Sequence, residues 1–217
     1  MPVRKVSSGG RNSIGRFPSL KMGRMIAFES LLERDFIYLL DYDARVEWFE
    51  EQPLTIEYQH EDQTAHYTPD FQVVGAGQQV VVECKPERFV ETSDNQRKFA
   101  VARAWCAARD WEFRVVTDQQ IRAGHRLTNI IRLTQYARLS LDPVLRYRIN
   151  VALQSFPDPL TLQALIQVID AANPDRVMAG LLHLAFHHQV DLSLDHAPLS
   201  GQTLVTGRNP AAQAVQP

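Results

Sequence analysis

The sequence predicts an α/β fold over about its first 124 residues, followed by a small, mostly helical module. Three observations predict it. Two β-rich runs flank Gly75-Ala76-Gly77, which reads as a hairpin between His66 and Pro86. A helical run then separates Val80–Cys84 from Trp111–Val116, and strand, helix, strand in that order suggests a right-handed crossover that lays the two strands parallel. Past Asp118 the chain becomes a series of helical runs.

Each element has its own reason. Met25, Phe28, Leu32, Phe36 and Leu39 recur at three- and four-residue steps, so a helix is expected over Met25 to Asp41. Glu29 and Glu33 sit one turn apart beside its apolar stripe. Val46 to Phe49 reads as a strand, and Leu54, Ile56 and Tyr58 alternate with polar residues as in a second. Gln59 to Ala65 reads as a polar turn before the hairpin. Ser93 and Asp94 suit the cap of a helix over Asn95 to Arg109, with Phe99, Ala102, Trp105 and Cys106 along one face. Beyond it, Gly124 to Ser140 reads as a connecting helix, and Val144 to Phe156, Leu160 to Ala172 and Pro174 to His188 read as three further helices. Val190 to Leu194 and Gln202 to Val205 read as a small β-ribbon. Three short helices and a ribbon describe a winged helix-turn-helix. The expected organisation is a basic arm over 1–24, an α/β domain over 25–124, the winged-helix-like domain over 125–206 and a tail over 207–217.

Composition narrows the function classes. The chain has 217 residues, is 45% hydrophobic and carries a formal charge of −2, enough for a sizeable core and without the overall basicity of a nucleic-acid binder. Charge distribution says more than the sum. Residues 1–24 hold Arg4, Lys5, Arg11, Arg16, Lys21 and Arg24 and no acid, a pattern suited to salt-sensitive contact with a DNA backbone. Cys84 and Cys106 form neither a ligand motif nor a disulfide framework, as in a reduced, cytoplasmic protein. No run approaches the roughly 20 apolar residues of a membrane helix, and no secretory signal is expected.

The chemistry concentrates in the hairpin. Side chains alternate along a strand, so Glu83 and Lys85 share one face while Val80, Val82 and Cys84 share the other. With Asp70 at the start of the preceding strand, two acids and a lysine can converge. Asp70 and Glu83, with the backbone carbonyl of Cys84 between them, offer hard oxygen ligands for Mg²⁺, with Mn²⁺ as a substitute. A carboxylate from the upstream helix, Glu29 or Glu33, would complete the set directly or through water. Lys85 would orient a nucleophilic water or offset phosphorane charge. His183 and His187 are a second metal candidate, but no third ligand accompanies them and a packed helix face is expected.

These residues carry a resemblance. Asp70, Glu83 and Lys85 in a hairpin, an acidic helix before it and a strand-helix-strand after it resemble the PD-(D/E)xK, or restriction-endonuclease-like, superfamily. Within it, Phe17-Pro18-Ser19-Leu20-Lys21-Met22-Gly23-Arg24, Glu29-Ser30-Leu31-Leu32-Glu33-Arg34-Asp35-Phe36, Phe49-Glu50-Glu51-Gln52-Pro53, Tyr67-Thr68-Pro69-Asp70-Phe71 and Val82-Glu83-Cys84-Lys85-Pro86 look like the TnsA endonuclease family. The resemblance implies a restriction-endonuclease-like mixed sheet flanked by helices. It places the catalytic glutamate on Glu33, with Glu29 as second candidate, the metal-binding aspartate on Asp70, the penultimate motif acid on Glu83 and the motif lysine on Lys85. It implies a Mg²⁺-dependent endodeoxyribonuclease that cuts the 5′ ends of a transposon in double-stranded DNA. Its implied partners are a DDE transposase subunit like TnsB and an AAA+ regulator like TnsC, working in the bacterial cytoplasm at the nucleoid. A stand-alone restriction or repair nuclease and a non-catalytic DNA-binding adaptor are the alternatives.

Overall fold

A computed structural model describes residues 13–156 and 158–207. The chain divides into two units, 1–123 and 124–217. The first begins with an antiparallel pair, β1 (Gly15–Pro18) and β2 (Met25–Phe28), and continues with α1 (Leu31–Tyr42), β3 (Trp48–Glu51), β4 (Ile56–His60), β5 (Gln63–Tyr67), β6 (Phe71–Gly75), β7 (Gln78–Lys85), α2 (Glu87–Val90), α3 (Ser93–Ala107), β8 (Glu112–Thr117) and α4 (Asp118–Ile121). Its main sheet has the order β3-β6-β7-β8, antiparallel except for the parallel β7–β8 pair. That pair is the expected crossover, with Val80 opposite Glu112 and Lys85 opposite Thr117.

Helices cover both faces of this sheet. Phe71 is the register partner of Val82, and its ring meets Phe36 of α1 at 5.7 Å. Val81, the next residue along β7, therefore points the other way. It pairs with Phe113, whose ring meets Phe99 of α3 at 5.8 Å. The mixed α/β architecture fits a restriction-endonuclease-like fold. Phe49, Phe71 and Phe99 are fully buried in it. The β6–β7 turn is tighter than the three-residue reading suggests. Gly75 pairs with Gln78, so only Ala76 and Gly77 form the loop, both with positive φ (51° and 73°). Gly75 is required for another reason: a Cβ there would lie 2.1 Å from the Arg45 carbonyl oxygen.

Three expectations change. The helix expected from Met25 starts at Leu31, because Ser30 caps it by accepting a hydrogen bond from the Glu33 N–H, while Met25–Phe28 pairs with Gly15–Pro18. The basic arm, expected to run to Arg24, enters the fold at Gly15. Gln59 to Ala65 is no simple turn. β4 and β5 form a separate hairpin inserted into the meander, with Glu61 and Asp62 in left-handed conformation at its tip.

The second unit contains α5 (Arg126–Thr134), α6 (Pro143–Ser155), β9 (Leu160–Thr161), α7 (Leu162–Asp170), α8 (Pro174–Phe186), β10 (Val190–Leu192) and β11 (Leu204–Gly207). Its strands form a small antiparallel sheet of order β10-β11-β9. Ile130, Leu133, Ile149, Leu165 and Leu181 are fully buried in its core. His183 and His187 serve packing: their rings lie 4.6 Å apart, and each has a nitrogen at a backbone carbonyl, of Tyr136 (3.0 Å) and Ala137 (2.9 Å) respectively. Residues 208–217 of the expected tail lie outside the described residues. Among the described residues no helix is long and apolar enough to cross a membrane.

Candidate active site

The site forms where β6 begins and β7 ends. Phe71 faces Val82 in the last pair of the β6–β7 register, and Asp70 and Glu83 are the next residues beyond it on the two sides. Asp70 is held from both sides. Its carbonyl accepts the Gln52 N–H at 2.8 Å, extending the β3–β6 ladder by one bond. Its Oδ2 accepts the Cys84 N–H at 2.7 Å. Glu83 is only 5% exposed. Its Oε1 meets the Lys85 Nζ at 2.6 Å, and its Oε2 accepts the Tyr67 hydroxyl at 2.7 Å.

Glu33 joins the group through its charge. It is the third residue of α1, and its carboxylate reaches back to the Glu29 N–H at 2.7 Å and the Ser30 hydroxyl at 2.7 Å. This is a helix-capping arrangement, which anchors the side chain at the start of α1. A carboxylate has about four lone-pair positions, so both oxygens keep accepting capacity. Burial, and then the charges of Glu29 and Glu83, raise the Glu33 pKa against those two hydrogen bonds. Asp70 is pushed well above the usual carboxylate range, first by burial, then by the charges of Glu83 and Glu33. The Cys84 N–H and Lys85 oppose that shift.

Burial by itself would lower the Lys85 pKa, but Glu83, Asp70 and Glu33 outweigh it and the net shift is upward. The three acids thus favour the charged form of Lys85 in the metal-free protein. The Cys84 thiol is raised well above its ordinary value by burial and by the same three acids, so it is an inert wall rather than a nucleophile. Among the described residues no three His, Cys, Asp or Glu side chains make a ready cage for a metal ion.

The structure thus brings Asp70, Glu83, Cys84 and Lys85 together and sets Glu33 within electrostatic reach, with Glu29 beside Glu33. The basic residues separate. Arg4, Lys5 and Arg11 lie outside the described residues, and Arg16 is exposed on β1. Lys21 and Arg24 make contacts within the fold. The Lys21 ammonium donates to the Leu40 carbonyl at 2.8 Å and to the Asp43 carbonyl, closing the C-terminal end of α1. Arg24 makes a two-pronged contact with buried Glu51 at 2.8 and 2.7 Å. Sequence reasoning assigned no role to Tyr67. Its hydroxyl partner lies 16 residues away, and only its place three residues before Asp70 hinted at the site.

No curated protein matches the chain. Residues 43–118 match the family model described as TnsA-like endonuclease N terminal, a span that contains Tyr67, Asp70, Glu83, Cys84 and Lys85 and begins after Glu29 and Glu33. Over these residues the chain is similar to the N-terminal domain of TnsA-like endonucleases.

Proposed function

We propose that the protein is a metal-dependent DNA endonuclease subunit of a heteromeric transposase, hydrolysing phosphodiester bonds at the 5′ ends of a transposon during cut-and-paste transposition. The observation that carries this reading is the convergence of Asp70, Glu83 and Lys85 where β6 begins and β7 ends, with Glu33 in electrostatic reach. Such like-charge crowding in a buried place is costly for a free protein and is typical of functional sites.

The donor set fits Mg²⁺, or Mn²⁺ in its place. Mg²⁺ takes hard oxygens, and one or two carboxylates commonly suffice because waters and substrate phosphate fill the remaining positions. Asp70, Glu83 and the Cys84 carbonyl would hold it, with Glu33, or Glu29 next to it, acting directly or through water. Once bound, the ion would lower the pKa of a coordinated water and polarise the scissile phosphate. The chain's own residues do the rest. The Cys84 N–H holds the Asp70 carboxylate in place. Glu83 holds the Lys85 ammonium at 2.6 Å, where it offsets charge developing on the phosphoryl oxygens.

The second unit supports a partner role. Its α6, α7 and α8 with a β10-β11-β9 sheet follow the order of a winged helix-turn-helix. α8 stands where a recognition helix would stand, yet it buries Val177 and every residue from Gly180 to Phe186. That burial leaves little of α8 free to read a groove. A DDE transposase like TnsB and an AAA+ regulator like TnsC are the partners this reading expects.

Cleavage of duplex DNA carrying transposon ends, with Mg²⁺ and the partner transposase, tests the proposal. Asp70→Ala and Lys85→Ala are expected to lower 5′-strand cutting by at least about a hundredfold while circular dichroism stays native, the size of loss seen when one transition-state contact is removed. Undiminished cutting by either folded variant would remove this hairpin as the active site.

A further inference from the structure

Tyr67 stands outside every role described above, yet it is 6% exposed and its hydroxyl meets a buried glutamate. It is the last residue of β5 and pairs with Ile56 across the β4–β5 hairpin. Its ring is packed with Ile56 and with Ala102 of α3, with Trp105 and Phe113 at the margin. The ring is therefore fixed by the apolar layer between the hairpin and α3, and the hydroxyl points from that layer to Glu83 Oε2. Burial and the neighbouring Glu83 charge raise the phenol's pKa, so it stays a donor.

Glu83 needs such a partner. It has three side-chain torsions and shares the end of the β6–β7 pair with Asp70, with Glu33 also near. Like charges would turn its carboxylate away from them. Lys85 holds only Oε1, and Lys85 is itself on a flexible stem, 25% exposed. The second contact, from a ring locked by packing, removes the remaining freedom of the carboxylate plane.

We propose that Tyr67 is a positioning residue for divalent-cation binding: it fixes the Glu83 carboxylate and so ties the β4–β5 hairpin to the catalytic group. This inference rests on the nuclease reading given above. Supporting residues one contact away from a ligand commonly change metal affinity by about tenfold to a hundredfold when removed.

The test is calorimetric titration of the full chain with Mn²⁺ alone, comparing wild type, Asp70→Ala, Tyr67→Phe, Glu83→Gln and the Tyr67→Phe/Glu83→Gln double variant. Tyr67→Phe keeps the ring and its packing. It is expected to raise the Mn²⁺ Kd about tenfold, and to have no further effect when Glu83 is already Gln. A purely structural tyrosine would lower the unfolding temperature of the metal-free protein and leave the Kd of the folded protein unchanged. An unchanged Kd, or an equal loss in the Glu83→Gln background, overturns the inference while leaving the nuclease reading intact. Wild type without Mn²⁺ binding that depends on Asp70 overturns the reading itself, and the inference with it. Should Tyr67→Phe not fold, Tyr67→Met fills the same apolar space without a donor and is read in the same way.

Discussion

The two units differ in the polar groups they bury. The first buries four acids, Asp35, Asp41, Glu51 and Glu83, beside the neutral Ser19, Gln52 and Thr117. Among its described residues the second buries neutral groups alone: Asn129, His183 and Thr203. In the second, each is a stitch to the backbone. The Asn129 amide donates to the Leu194 and Ala197 carbonyls at 2.7 and 2.8 Å and accepts the Leu199 N–H at 2.9 Å. Thr203 accepts the Ser200 N–H at 2.9 Å. In the first unit, three of the four acids are also fully answered. Asp35 meets Arg34 and Arg122, Asp41 meets the Ser19 hydroxyl and the Lys21 N–H, and Glu51 meets Arg24 and the Ala27 N–H. Glu83 differs. It has a lysine and a tyrosine of its own, but Asp70 and Glu33 add charge around the same lysine. Buried charge alone thus does not mark the site. Several acids gathered around one cation do, and among the described residues the second unit, with its neutral stitches, has no counterpart.

That contrast can be broken at its structural side first. Arg24→Ala leaves Glu51 buried beside Ala27 without its guanidinium. Breaking a buried pair from one side costs about 3–5 kcal/mol, and the lower end is expected because Arg24 is 36% exposed and water can reach the gap. Urea unfolding of the variant measures the loss. The same variant sharpens the reading of the basic arm: a structural Arg24 predicts lower stability with the salt dependence of DNA binding unchanged, whereas a phosphate contact would flatten that dependence by about one charge. Asn129→Ala is the matching change in the second unit. It strips partners from the Leu199 N–H and from two carbonyls, and a loss of about 2–3 kcal/mol is expected, since each abandoned buried group costs on the order of 1–3 kcal/mol and some regain water. A negligible loss there would mean that the neutral stitches are ornament and that the two units do not differ as described.

The site was legible where its signals were short-range. Asp70, Glu83 and Lys85 follow from strand alternation and one hairpin, and the parallel β7–β8 pair follows from the strand-helix-strand order. What was hidden was long-range or ambiguous in period. Ser30 and Glu33 have the spacing of a capping box, but Met25 and Phe28 fit the same helical stripe and drew the start of α1 too early. The tip of the β4–β5 hairpin is polar and exposed, at Gln59 and Thr64 among others, so Gln59 to Ala65 read as a turn rather than as paired strand ends. The roles of Lys21 and Arg24 could not be read from local pattern at all. Arg24 finds Glu51 27 residues away, and a run of cations without acids looks the same whether it meets DNA or its own fold.

The smallest expected effect concerns pH and again separates neutral from charged burial. His183 is buried, which lowers its pKa below the ordinary 6.5; the Tyr136 carbonyl opposes that shift, while His187 and Arg146 add to it. Below pH 6.5 the unfolded chain takes up a proton that the native His183 still refuses. The unfolded state then binds more protons, so stability rises with pH in this window. The His183 contribution is therefore fully present above pH 6.5 and is lost as pH falls from there through the lower native value. Urea unfolding at a series of pH values, followed by a probe in the second unit, should show this slope, and His183→Gln should flatten it. A slope of the same sign and size in His183→Gln would assign it to other groups, and a stability that rises as pH falls would show that His183 is held charged. The second unit would then bury a cation, and the distinction between its neutral stitches and the acidic cluster of the first unit would no longer hold.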